Sequence, residues 1–201
     1  MGRLGFLSDK LSCGSGILHL ISGSCCIHKK EQRTVKVPSW NPPGDGWLKC
    51  NFDGACYPDG KGATGAVIRD HNGTFHGGSA KWYGHCMDAL MMEALAFRDA
   101  VIFAKQRGAT RVVVFETDCH SLIHLWSMED EQRSMFATIL REIHDLGSSL
   151  VSFSLCYARV CNLVAHELAR QVSSSSVMVE WLQVPSCVHR YLETDCNHAL
   201  E

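Results

Sequence analysis

The run Val112-Val113-Val114-Phe115 constrains the fold of this chain more than any other stretch. Four β-branched or aromatic residues without a polar interruption suit a central strand covered on both faces, and such strands belong to sheets flanked by helices. The run leads into Glu116-Thr117-Asp118, so a carboxylate sits at the carboxyl end of the strand.

A second strand ends in the same way. In Trp47-Leu48-Lys49-Cys50-Asn51-Phe52-Asp53-Gly54-Ala55, Leu48, Cys50 and Phe52 share one parity while Lys49, Asn51 and Asp53 share the other. A strand here buries the first set and aims Asp53 off the opposite face. Gly62 to Arg69 and Thr74 to Tyr83 read as two further strands, joined by Asp70-His71-Asn72-Gly73, whose Asn-Gly pair is a strong hairpin signal. From Asp88 to about Gln106 the apolar period becomes helical, with small residues around Glu93 that let a helix approach a sheet closely. Helices from about His120 to Trp126 and Met135 to Leu146, a strand over Val151 to Tyr157 and a helix over Leu163 to Arg170 complete the pattern.

The order βββαβααβα predicts an α/β domain with a five-stranded mixed sheet, in which helical crossovers make the first, fourth and fifth strands parallel neighbours. The breakers in Trp40-Asn41-Pro42-Pro43-Gly44-Asp45-Gly46 set its amino-terminal boundary. Residues 1–38 are rich in Gly and Ser and read as a disordered leader or, alternatively, an organelle transit segment. The domain is expected over residues 39–175, with 176–201 as an extension that the pattern does not place.

The 201 residues, 46% hydrophobic and 20% charged, are those of a globular chain with one core. A net charge of −2 excludes a strongly basic nucleic-acid binder, although a local patch can still serve. Lys49, Lys61, Arg69 and Lys81 are dispersed and read as solvated surface. Eleven scattered cysteines without a CxxC pair suggest thiols in a reducing, intracellular setting, nuclear or cytoplasmic. No apolar run approaches the ~18 residues that a membrane helix needs, so no membrane partner is expected, and the chain reads as a monomer.

Asp53 and Asp118 fall on the side of an open α/β sheet where ligands bind, with Glu93 entering from the intervening helix. Three converging carboxylates repel one another unless a cation neutralises them, and hard divalent ions suit oxygen ligands. Two such ions roughly 3.5–4 Å apart can drive phosphodiester hydrolysis. Singly, each acid has a plainer explanation: Asp53-Gly54 a turn, Glu93 an exposed helix residue, Thr117-Asp118 a helix cap. The Gly54 to Gly62 stretch departs from phosphate-loop spacing, and His120 and His124 lack a third ligand for zinc.

Asn51-Phe52-Asp53-Gly54-Ala55, Glu93-Ala94-Leu95-Ala96, Glu116-Thr117-Asp118 and Asn162-Leu163-Val164-Ala165-His166-Glu167-Leu168-Ala169 resemble the successive motifs of the type 1 ribonuclease H family. The likeness covers roughly Trp40 to Ser174 and is nearest to the reverse-transcriptase-like ribonuclease H domain of plant proteins and plant non-LTR retroelements. The resemblance implies a ribonuclease H-like fold and hydrolysis of the RNA strand of RNA–DNA hybrids with Mg²⁺ or Mn²⁺. It makes Asp53, Glu93 and Asp118 metal ligands. His166, at the fourth catalytic position, reads either as a general acid or base or as a helix-surface histidine that touches no metal. Asn51, Gly54, Arg159 and Asn162 read as nucleic-acid contacts, with a strand-end cap as the alternative for Arg159. His166 stands where the family usually carries an Asp, and the chain lacks the His-bearing loop of bacterial and retroviral members. The alternative reading is therefore a weakened module that binds nucleic acid or a protein partner.

Overall fold

A computed structural model describes residues 40–109, 113–128, 135–158 and 162–197, all within one unit, Val37–Glu201. The leader, Thr110 to Val112, the Glu129 to Arg133 linker and Arg159 lie outside the described residues.

Three strands, β1 (Leu48–Cys56), β2 (Gly62–Asp70) and β3 (Phe75–Tyr83), form the meander that the alternation and the Asn-Gly turn predict. Helix α1 (Ala89–Gln106) follows, its first turn capped by the Asp88 carboxylate, which accepts from the Met91 N–H at 2.7 Å. Next come β4 (Val113–Thr117), α2 (His120–Ser127), α3 (Met135–Gly147), β5 (Phe153–Tyr157) and α4 (Leu163–Ala169). The chain then adds β6 (Met178–Trp181), a short 3₁₀ turn (Ser186–Val188) and α5 (His189–Asn197).

The sheet order is β5-β4-β1-β2-β3-β6, with β1-β4 and β4-β5 parallel as expected. Six strands replace the expected five, because β6 pairs antiparallel with β3 through Gly78↔Trp181 to Lys81↔Met178. The described part of this segment, through Asn197, is thus no appendage. Val188 and Leu192 pack with Val67, Val164 and Leu168 into the core on the α4 face of the sheet. The remote pairing that places this segment leaves no local periodicity to read.

The other face carries the larger core, where Cys50, Phe52 and Phe115 meet Phe97 and Val101 of α1 and Leu140 and Ile143 of α3. Phe52 and Phe97 stack with ring centroids 5.1 Å apart. The β4 run is less uniformly covered than its composition suggests: Val113, Phe115 and Thr117 are buried, but Val114 and Glu116 only partly so. Helix α4 packs over β1, β2 and β3.

Cys56 and Cys86 form a disulfide that ties the end of β1 to the segment before α1, so the cysteines are not all thiols. Cys50, Cys119, Cys156 and Cys187 are free. Among the described residues no helix is long and apolar enough to cross a membrane.

Candidate active site

The parallel register of β1 and β4 ends at Asn51↔Glu116, and the two strands part beyond it. Asp53 and Asp118 each stand two residues past that last pair. On its other edge β1 continues to Cys56 against β2, so Asp53 is not the end of the strand but the point where one of its two neighbours leaves.

Glu93 fills the gap from the opposite face. A Cβ on Gly54 would lie 2.4 Å from the Met92 carbonyl carbon and 2.6 Å from the Glu93 nitrogen, so only glycine lets α1 press on β1 here. The Gly54 N–H, with no β4 partner in the register, donates to Glu93 Oε1 at 3.4 Å, and the Thr117 hydroxyl donates to Glu93 Oε2 at 3.3 Å. Carboxylate oxygens of Asp53, Glu93 and Asp118 come within 4.8 Å of one another. Asp53 and Glu93 are buried, while Asp118 is exposed and forms the mouth.

Burial pushes the Glu93 carboxyl up to about 8, reinforced by the charges of Asp53 and Asp118. Burial also raises Asp53, opposed by its contact with His166. Close carboxylates whose charge the site does not itself neutralise form a donor set suited to a hard divalent cation. Asn162 Oδ1 is a buried acceptor beside Asp118 without a hydrogen-bond partner among the described residues. The residues present therefore fit Mg²⁺ or Mn²⁺.

Helix α4 closes the site on the Asp53 face. Gly65, the cross-strand partner of Asp53, would place a Cβ 2.1 Å from the Ala165 carbonyl oxygen and 2.7 Å from the Ala169 nitrogen. The helix thus rests on the backbone of β2, and His166 Nδ1 lies 2.7 Å from Asp53 Oδ2. At the start of α4, Asn162 donates through Nδ2 to the Phe52 carbonyl at 2.6 Å and, at 3.4 Å, to Asp118 Oδ1.

All four expected catalytic positions are brought together. The expected nucleic-acid contacts divide. Asn162 lines the site but is buried, Gly54 serves the packing of α1, and Arg159 lies outside the described residues. Asn51 is fully buried and has no surface to offer a nucleic acid. Its Oδ1 accepts from Trp40 Nε1 and an Arg69 NH2 group, each at 3.0 Å, and its Nδ2 donates to Glu116 Oε2 at 3.0 Å. Lys49 pairs with Glu116, and the Arg69 guanidinium lies 3.9 Å from the Trp40 ring centroid. Lys49 and Arg69 are therefore buried supports of the strand that carries Asp53, not solvated surface.

Asn51, Glu116 and Thr117 lie inside the motifs, but no motif marks Trp40, Lys49 or Arg69 or shows that they join Asn51 and Glu116 in one buried network. Gly65 could have been noticed as a glycine inside a strand, a common sign of close backbone approach. His120 remains exposed at the start of α2, its ring 4.6 Å from that of Tyr157.

The fold resembles solved ribonuclease H structures. Ribonuclease H1 of the halophilic archaeon Halobacterium salinarum shares 19% identity and a TM-score of 0.57 over 63% of this chain and 96% of that one. The N-terminal ribonuclease H domain of a Mycobacterium tuberculosis protein gives 16% and 0.57 over 65% and 95%. LC11 ribonuclease H1 in complex with an RNA/DNA hybrid gives 17% and 0.56 over 62% and 95%. At such identities the likeness establishes the fold. No curated protein sequence matches the chain. A family model described as reverse transcriptase-like matches residues 51–172, spanning every acid of the cluster and all of α4. With its motifs in that order on a ribonuclease H sheet, this chain belongs to the reverse transcriptase-like family.

Proposed function

We propose that this chain is a divalent-metal-dependent nuclease that hydrolyses the RNA strand of RNA–DNA hybrids, a type 1 ribonuclease H of the kind carried by plant proteins and retroelements. The observation that carries this reading is the convergence of Asp53, Glu93 and Asp118 from three elements into one half-open cluster. Asp53, Glu93 and Asp118 would hold Mg²⁺ or Mn²⁺, which supplies Lewis acidity toward the phosphodiester when bound.

The chain's own residues preset the ligands. The Gly54 N–H and the Thr117 hydroxyl orient Glu93, His166 fixes Asp53, and Asn162 anchors Asp118 to the Phe52 carbonyl. Ligands oriented in this way need little rearrangement when a cation binds. The LC11 enzyme's complex with an RNA/DNA hybrid supports the substrate class, and 2′-hydroxyl contacts in a wide minor groove would distinguish RNA from DNA. Arg159 and Asn162 are proposed to contact the nucleic-acid backbone.

His166, at the position of the usual fourth acid, favours a second reading as a module that binds nucleic acid without cutting it. A labelled hybrid incubated with Mg²⁺ and with Mn²⁺ separates the two. We expect cleavage confined to the RNA strand, little action on duplex DNA, and loss of cleavage in Asp53→Asn. Cleavage that survives Asp53→Asn overturns the site, and binding without cleavage under either ion supports the second reading.

A further inference from the structure

We propose that His166 is a positioning residue whose Nδ1–H holds Asp53 Oδ2, so that the cluster takes one divalent ion and not the two expected of the site. The inference rests on the metal-dependent reading above.

The geometry begins with the helix. With Gly65 against Ala165 and Ala169, α4 sits on β2 without an intervening side chain, which fixes the backbone from which His166 extends. Nδ1 then meets Asp53 Oδ2 at 2.7 Å. A carboxylate oxygen accepts, so Nδ1 carries the proton of this bond, and a protonated ring nitrogen has no lone pair for a metal. The imidazole thus stands beside Asp53 where a fourth carboxylate would be needed to complete the ligands of a second ion.

The other two acids are oriented toward the first ion. Glu93 accepts from Gly54 and Thr117, and Asp118 accepts from Asn162. Asp53, Glu93 and Asp118 meet within 4.8 Å without any contribution from position 166, which makes a pocket for one cation. A second ion beside Asp53 would have only the far ring nitrogen of a half-exposed histidine, a poor donor for Mg²⁺. An aspartate at position 166 would remove the N–H and add two acceptor oxygens, creating the missing ligand set.

The test is Mn²⁺ binding to the metal-free full chain, followed by calorimetry and by electron paramagnetic resonance, neither of which depends on turnover. Wild type is expected to bind one Mn²⁺. His166→Asn keeps an N–H near the Nδ1 position and is expected to match wild type in stoichiometry and affinity. His166→Ala is expected to bind one ion about tenfold more weakly, the loss typical of an outer-shell partner. His166→Asp is expected to bind two, with the spin coupling of a close Mn²⁺ pair.

Two ions in wild type overturn the inference, as does one ion in His166→Asp. His166→Asn binding as weakly as His166→Ala would make the imidazole a ligand and also overturns it. Failure of the nuclease reading is separately visible: one bound Mn²⁺ without cleavage of the hybrid removes the proposed reaction and leaves the role of His166 standing. No bound Mn²⁺ in wild type removes both.

Discussion

A Cβ on Gly54 would stand 2.4 Å from the carbonyl carbon of Met92, so β1 and α1 touch one residue before Glu93. Backbone cannot yield as a flexible side chain can. Gly54→Ala is therefore expected to lever α1 outward, to destabilise the fold by about 1–3 kcal/mol through overpacking, and to weaken Mn²⁺ binding by withdrawing Glu93. Urea denaturation and Mn²⁺ titration of the same variant measure both effects. Unchanged metal affinity would show that the contact does not position Glu93.

Glu116 answers a buried cation. Lys49 and Glu116 form an ion pair beneath the site, with side chains 6% and 12% exposed. Removing only one partner strands the other, so Glu116→Ala is expected to cost about 3–5 kcal/mol, whereas the double change Lys49→Met, Glu116→Leu should recover most of it. A double-mutant cycle in urea tests this. Equal losses in the single and double variants would mean that the charge of Lys49 is not what Glu116 offsets.

Glu93 makes stability depend on pH. Folding raises its carboxyl from an ordinary 4.5 to about 8, so the folded protein holds a proton that the unfolded chain releases. The stability arising from this difference is complete below about pH 4.5 and is lost as pH rises toward about 8. Metal-free wild type should lose stability across that window relative to Glu93→Gln, whose amide does not titrate. Mg²⁺ should stabilise wild type more at pH 8 than at pH 5, because it binds the ionised form. Thermal unfolding at both values, with and without chelator, checks the sign.

The Cys56–Cys86 disulfide closes a loop with a sequence separation of 30. Restricting an unfolded loop of that length contributes about 3–4 kcal/mol in the chain-entropy account. Unfolding in the presence of a dithiol should show that loss, and Cys56→Ser, Cys86→Ser should reproduce it without reductant. Identical unfolding midpoints with and without dithiol would show that the bridge adds no stability.

What the residues determined by themselves is local. Alternation in Leu48 to Asp53, the Asn72-Gly73 turn, the helical period after Asp88 and the β-branched run before Glu116 are short-range patterns, and each became the element expected. The order of the elements was enough to group Asp53, Glu93 and Asp118, since strand adjacency restricts where each can go, and the resemblance to ribonuclease H motifs added His166.

The tertiary structure decided what depends on contacts between distant residues. Pairing of Met178–Trp181 with β3 turned an expected extension into a sixth strand. Burial of Asn51 beneath Trp40 made an expected nucleic-acid contact into a structural link, and burial of Lys49 and Arg69 did the same for two expected surface charges. Gly54 and Gly65 are ordinary glycines in the sequence. Only when α1 and α4 arrive on opposite faces of β1 and β2 do their missing side chains show how Glu93 and His166 reach Asp53. Burial and close approach arise from packing between residues far apart in the chain, and no local pattern encodes that distance.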